Sequence, residues 1–328
     1  MSNTATFWIN HIFPILQIVF GTFGNVFNII IFTRRTLRIN PCSLYFLAGS
    51  INNCFVIYGA LLPRYLASSW NLDPSATNNV LCKLRNFFTY CSLTLALWFV
   101  VLASIDRYLS SSRNLRLRQM SSLPMARKMI IITIILISLS YVHILIYFRV
   151  VANGGEVSCV FLPYEYIGFL SFFGPIVSCV LPIVLMSIFG ILTILNVRNR
   201  PALQINSVRN ERLRSNDRQL VFMLLLQVII TTVISTPYFA LAIFNAIATI
   251  ILKHTLSASG QAIYNFAFNL FRLLYYTNPI IAFYIYTLAG SKFRAEIKRC
   301  AQQIVLHQRT TAVRRIENAV HPIQERRP

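Results

Sequence analysis

The chain has 328 residues, 56% of them hydrophobic and only 12% charged, and its 30 Lys+Arg against 9 Asp+Glu give a net charge of +21. Soluble domains carry about 25% charged residues, so this composition and a mean hydropathy of +0.60 exclude an ordinary soluble globule and equally a disordered basic chain. The basic excess by itself suits nucleic acid, but the apolar content decides for a membrane.

A hydrocarbon core of about 30 Å takes roughly 20 apolar residues at about 1.5 Å each. In chain order, runs of that length predict seven spans. Segment one is about Phe13 to Thr33, segment two about Cys42 to Pro63, segment three about Lys83 to Ile105 and segment four about Met129 to Phe148. Segment five is about Tyr166 to Val197, segment six about Leu220 to Leu252 and segment seven about Gln261 to Leu288. Segments five and six exceed one bilayer and should tilt or protrude. The expected fold is an all-α membrane protein, a seven-transmembrane helix bundle over residues 11–290. Residues 1–10 precede it, a short amphipathic helix follows at 291–305, and 306–328 form a tail. The first ten residues hold no Lys or Arg and no cleavage-site pattern, so segment one is expected to serve as the insertion signal. No Asn-x-Ser/Thr sequon occurs, so N-glycosylation is not expected.

Positive residues mark the cytoplasmic side of a membrane protein. The loops after segments one, three and five and the tail together hold 24 of the 30 basic residues. Arg64, Lys83, Arg85, Arg149 and Lys253 fall on the other side, and Arg272 lies within segment seven. The distribution predicts a multi-pass plasma-membrane protein with its N-terminus outside and its C-terminus inside.

Of seven cysteines, only Cys82 and Cys159 fall in the outer, oxidising layer. A bridge between them would pin the second outer loop to the top of segment three; two unpaired thiols are the alternative. At the other end of segment three stands Asp106-Arg107-Tyr108, with Arg107 25 residues after Cys82, about 37 Å along a helix. A cysteine at the outer end of the third of seven spans, with Asp-Arg-Tyr at its inner end, resembles the rhodopsin-like G-protein-coupled receptors.

Other residues carry the resemblance from about residue 11 to 305. Gly24-Asn25 in segment one matches the family's Gly-Asn pair, and Pro182 and Pro237 match its helix-bending prolines. The resemblance implies that Asp217, at the inner end of segment six, holds Arg107 in the resting state. In segment seven, Asn278-Pro279 begins one register of the family's Asn-Pro-x-x-Tyr motif. Tyr286, seven residues before Phe293, ends another, and the second register fits better. Asn53 (or Asn52) replaces the usual sodium-binding Asp, Ser235 the usual Trp before Pro237, and Gly190 a frequent Tyr. The chain is a divergent member on this reading, and no metal or cofactor is expected.

Thr89 stands where amine receptors of the family carry Asp, which disfavours a monoamine ligand. Segment seven has no lysine for a retinal Schiff base. Arg64, Arg85 and Arg272 instead suggest an anionic ligand group such as a carboxylate. A charge within a span costs about 2.5–3.5 kcal/mol on insertion scales and usually faces the bundle interior. Tyr90, Tyr238, Phe244, Tyr264 and Phe268 could wall the pocket. A neuropeptide-like ligand is the leading class and a small acid the second.

The inner surface suits anionic lipids and a heterotrimeric G protein centred on Arg107; nucleic acid is not a partner. Cys300 on the amphipathic helix is a palmitoylation candidate. Two rivals remain, a transporter and a seven-helix protein that signals poorly. The first is weakened because the span interiors carry no Asp or Glu. No enzymatic chemistry is expected.

Overall fold

The computed structural model describes residues 7–153, 156–163, 165–198, 207–248, 252, 257–289, 293–299, 302 and 310. Six of its helices are long and apolar enough to cross a membrane: Trp8–Phe32, Pro41–Trp70, Asn79–Ser111, Leu123–Tyr147, Gly168–Arg198 and Phe222–Ala246. These are segments one to six, and the helix of segment six starts earlier, at Ser207. Segment seven completes a seven-helix bundle, but as two helices, Ala258–Tyr275 and Asn278–Ala289, rather than the unbroken run expected. Pro279 is the cause, because it has no N–H to return to the Tyr275 carbonyl. The chain closes the gap with tighter bonds, Thr277 N–H to Leu274 O at 2.9 Å and Ile280 N–H to Thr277 O at 3.0 Å.

Prolines also lie beside departures from α geometry in other spans, although the π-helical residues 247–248 and the turn at 141–143 in segment four have none. Three π-helical turns, Trp8–Ile12, Ile57–Leu61 and Ile176–Val180, each end two residues before a proline, Pro14, Pro63 and Pro182. The carbonyl that each proline ring would strike, four residues back, lies inside the widened turn. Pro237 is instead kept within a continuous helix. There Thr232 and Thr236 donate their hydroxyls to the Val228 and Thr232 carbonyls at 2.8 and 2.7 Å, so side chains as well as backbone serve these carbonyls.

Several boundaries differ from expectation in ways that matter for the site. Segment two runs on to Trp70, so Arg64 sits within the helix rather than at its end. Segment three begins at Asn79, where the Asn78 side chain caps the N–H groups of Val80 and Leu81. Between segments four and five an unforeseen antiparallel hairpin pairs β1 (Phe148–Asn153) with β2 (Glu156–Phe161), Val150 facing Cys159. The Cys82–Cys159 disulfide, with Cα atoms 5.7 Å apart, fastens β2 to the top of segment three.

Segment one packs on two and seven through small residues. A Cβ at Gly21 would lie 2.8 Å from Ile57, and one at Gly24 would lie 2.9 Å from the Phe283 Cβ. This contact lets Asn25 Nδ2 donate to the Pro279 carbonyl at 3.0 Å, while Asn53 Nδ2 donates to Asn25 Oδ1 at 3.2 Å. Phe32, Phe46, Tyr286 and Phe293 form an aromatic cluster. Residues 293–299 are helical, with Phe293 buried. Cys300 and the side chain of Asp217 lie outside the described residues.

Candidate functional site

The disulfide-tied hairpin helps to wall a cavity of about 670 Å³ at one end of the bundle. Arg64 from segment two, Arg85 and Thr89 from segment three and Arg272 from segment seven all line it. Asp73 and Ser75 line it too, and they change the charge pattern. Arg85 Nη1 donates to Asp73 Oδ1 at 2.8 Å and to Ser75 Oγ at 2.7 Å. Burial would raise the Asp73 carboxyl, but hydrogen bonds from Ser75 and the Arg85 charge together hold it below its ordinary value. The charge of Arg85 is therefore matched within the protein, contrary to the expectation that it acts with Arg272.

The structure brings Arg272 together with Arg64 instead. Arg64 Nη2 donates to Asn269 Oδ1 at 2.5 Å, and Arg272 Nη2 donates to the same oxygen at 3.3 Å. Two guanidinium groups thus converge on one neutral amide oxygen. Asn269 Nδ2 in turn donates to Asn10 Oδ1 at 2.7 Å, on the π-turn that opens segment one. Arg272 Nε is buried without a hydrogen-bond partner. Thr89 turns its hydroxyl back to the Arg85 carbonyl at 2.7 Å, so its contribution to the wall is mainly its methyl group.

A second cavity, of about 430 Å³, adjoins the first and shares Tyr90, Leu93, Tyr238 and Tyr275 with it. Its wall includes a column of rings, with Tyr264 stacked on Phe268 (centroids 5.6 Å apart), Phe268 tilted against Tyr238 (5.3 Å) and Tyr238 stacked on Tyr275 (5.3 Å). Arg272 lies over the Phe268 ring, 5.6 Å from its centroid, which joins the basic and aromatic walls. Phe244, also expected in the pocket, is half-exposed and is not among the walls of either cavity.

At the opposite end of segment three, Arg107 Nη2 donates to Asp106 Oδ2 at 2.9 Å and to Asn40 Oδ1 at 2.8 Å, both acidic and basic partners being buried. Asp106 Oδ1 accepts from Ser121 Oγ at 2.8 Å. Tyr108 packs its ring on Phe189. Between these ends, two side-chain bonds tie segment seven to segment six. Asn278 Nδ2 donates to Ser235 Oγ at 2.9 Å, and the Tyr286 hydroxyl donates to Gln227 Oε1 at 3.1 Å. Asn278 and Tyr286, one from each register of the segment-seven motif, each make one of these bonds.

Residues 24–286, spanning this whole frame, match the 7 transmembrane receptor (rhodopsin family). The chain belongs to this family. It is therefore a G-protein-coupled receptor and a multi-pass membrane protein, in a family of receptors rather than enzymes. The receptor is also similar to a C-C chemokine receptor type 8 of Macaca mulatta, 19% identical over 305 residues, which cover 90% of this chain and 80% of that one.

Sequence reasoning missed the partners that decide the site's charge. Asp73 stands in Asp73-Pro74-Ser75, a helix-start pattern that could have flagged a fixed carboxylate near the outer loop. Asn269 stands three residues before Arg272, on the same helical face, and that spacing was a usable signal. Asn10 and Gln227 meet their partners only through the fold.

Proposed function

We propose that the receptor binds an extracellular polypeptide at the cavity lined by Arg64, Arg85, Thr89 and Arg272, and in response activates a heterotrimeric G protein at its opposite end. The observation that carries this reading is the convergence of Arg64 and Arg272 on Asn269, whose amide leaves both charges unmatched in a large open cavity. The macaque relative is named for chemokines, which are polypeptides, and this supports the polypeptide over a small molecule. The paired arginines also suit a small acid, the second reading.

The basic loops and tail support an outside N-terminus and an Arg107 end that faces the cytoplasm. There the resting contacts of Arg107 with Asp106 and Asn40 must open for a partner to reach it. The Asn278–Ser235 and Tyr286–Gln227 bonds are the links through which movement of segment six would be felt by segment seven. A peptide-library screen with a promiscuous G-protein readout tests the proposal. Arg272→Ala should abolish the response while surface expression stays intact, and an unchanged response would overturn the assignment.

A further inference from the structure

We infer that Asn269 is a built-in stand-in for a ligand carboxylate: its amide oxygen occupies the seat between Arg64 and Arg272 that the ligand's anionic group takes. The inference rests on the outer cavity being the ligand site. It adds which group is displaced and which ligand chemistry is recognised.

The seat is incompletely served by an amide. Asn269 Oδ1 accepts from both guanidinium groups but carries no formal charge, and the nearby carboxylate of Asp73 is already engaged by Arg85. A carboxylate would supply the missing negative charge. Its second oxygen offers an acceptor to Arg272 Nε, which is buried without one. A carboxylate adds the formal charge that the amide lacks and presents two oxygens to the guanidinium fork, which gives the exchange its direction. Asn269 does not lose every partner when displaced, because its Nδ2 already donates to Asn10 at 2.7 Å. Occupation of the seat would therefore be felt at the N-terminal turn.

The neighbourhood also constrains the rest of the ligand. Phe268 touches Arg272 and continues into the Tyr264–Phe268–Tyr238–Tyr275 column of the second cavity. The chemistry recognised is thus a free carboxylate a few atoms from an aromatic group. A peptide ending in a free aromatic residue has it, and so does an arylalkanoic acid. A C-terminally amidated peptide does not.

The test is thermal unfolding of the full-length receptor in lipid nanodiscs, with two matched pairs of probes. One pair is 3-phenylpropionate and its amide; the other is Gly-Gly-Phe as free acid and as C-terminal amide. Both acids should raise the unfolding midpoint and both amides should not. Asn269→Asp places a tethered carboxylate in the seat and should abolish the shift from the acids. Asn269→Ala vacates the seat and should enlarge it, which keeps the proposal falsifiable if Asn269→Asp folds poorly. A larger shift from the tripeptide assigns a peptide source, and a larger one from phenylpropionate a small acid. Equal shifts from acids and amides, or an undiminished acid shift in a folded Asn269→Asp, would overturn the inference. Because the readout needs no G protein, acid binding without nucleotide exchange would count against coupling alone. Signalling to another ligand with no acid shift would count against the seat alone.

Discussion

What an arginine inside a bundle does depends on the residue beside it. Arg85 and Arg272 look alike in sequence, but Asp73 matches the charge of one, while the other shares a neutral amide with Arg64. Arg272 was legible because a charge within a span is costly and so has to be put to use. The neutralisation of Arg85 was not legible, because Asp73 reaches it only through a loop whose path the sequence does not specify. Asp73→Asn should therefore release Arg85 into the cavity and tighten binding of an anionic ligand by about 1 kcal/mol, roughly fivefold, measured in a competition assay. The folded-state value of Asp73 is depressed, so its ion pair is intact at neutral pH and is lost only as pH falls through that depressed value. Mild acidification should leave the Arg85 contact unchanged, which a binding isotherm repeated from neutral to weakly acidic pH would show.

At the scale of elements, hydropathy located the seven spans because roughly 20 apolar residues are needed whatever the local geometry. It could not show the broken seventh helix or the π-turns before Pro14, Pro63 and Pro182, which arise from single prolines. Asn153-Gly154-Gly155 between two β-branched runs is a reversal signal for the hairpin, but its strands are too short to register as apolar runs of membrane length. The disulfide makes that hairpin part of the bundle across a sequence separation of 77 residues. Cys159→Ser should cost up to about 4 kcal/mol and appear as a lowered unfolding midpoint and reduced surface expression. The packing of segment one on seven is close enough for a smaller change to register. Gly24→Ala puts a methyl 2.9 Å from the Phe283 Cβ, an atom fixed to the backbone. It should destabilise the receptor by about 1–3 kcal/mol, read as a fall in midpoint, whereas Gly59→Ala, with open space around it, should not.

Across the whole molecule, a small set of arginines lines the cavity at one end of the bundle, and Asp106-Arg107-Tyr108 stands at the other, where the sequence predicts the basic loops. Segment three joins the two, carrying Cys82 and Arg85 at one end and Asp106-Arg107-Tyr108 at the other. Segments six and seven connect them again through Ser235, Gln227, Asn278 and Tyr286. The frame was readable because the spacing from Cys82 to Arg107, the loop charges and the span count each point to the same topology. The interior hydrogen bonds were less readable, since Ser235 and Asn53 meet partners that only the packing supplies. The most direct test of a receptor that drives a G protein is guanine-nucleotide exchange on added heterotrimer in membranes holding the wild-type chain or Arg107→Ala at equal surface density. Exchange above empty membranes with the wild type, falling to background in Arg107→Ala, is the predicted result. Equal exchange from the two, or none above empty membranes in the presence of a ligand that binds the outer cavity, would contradict it.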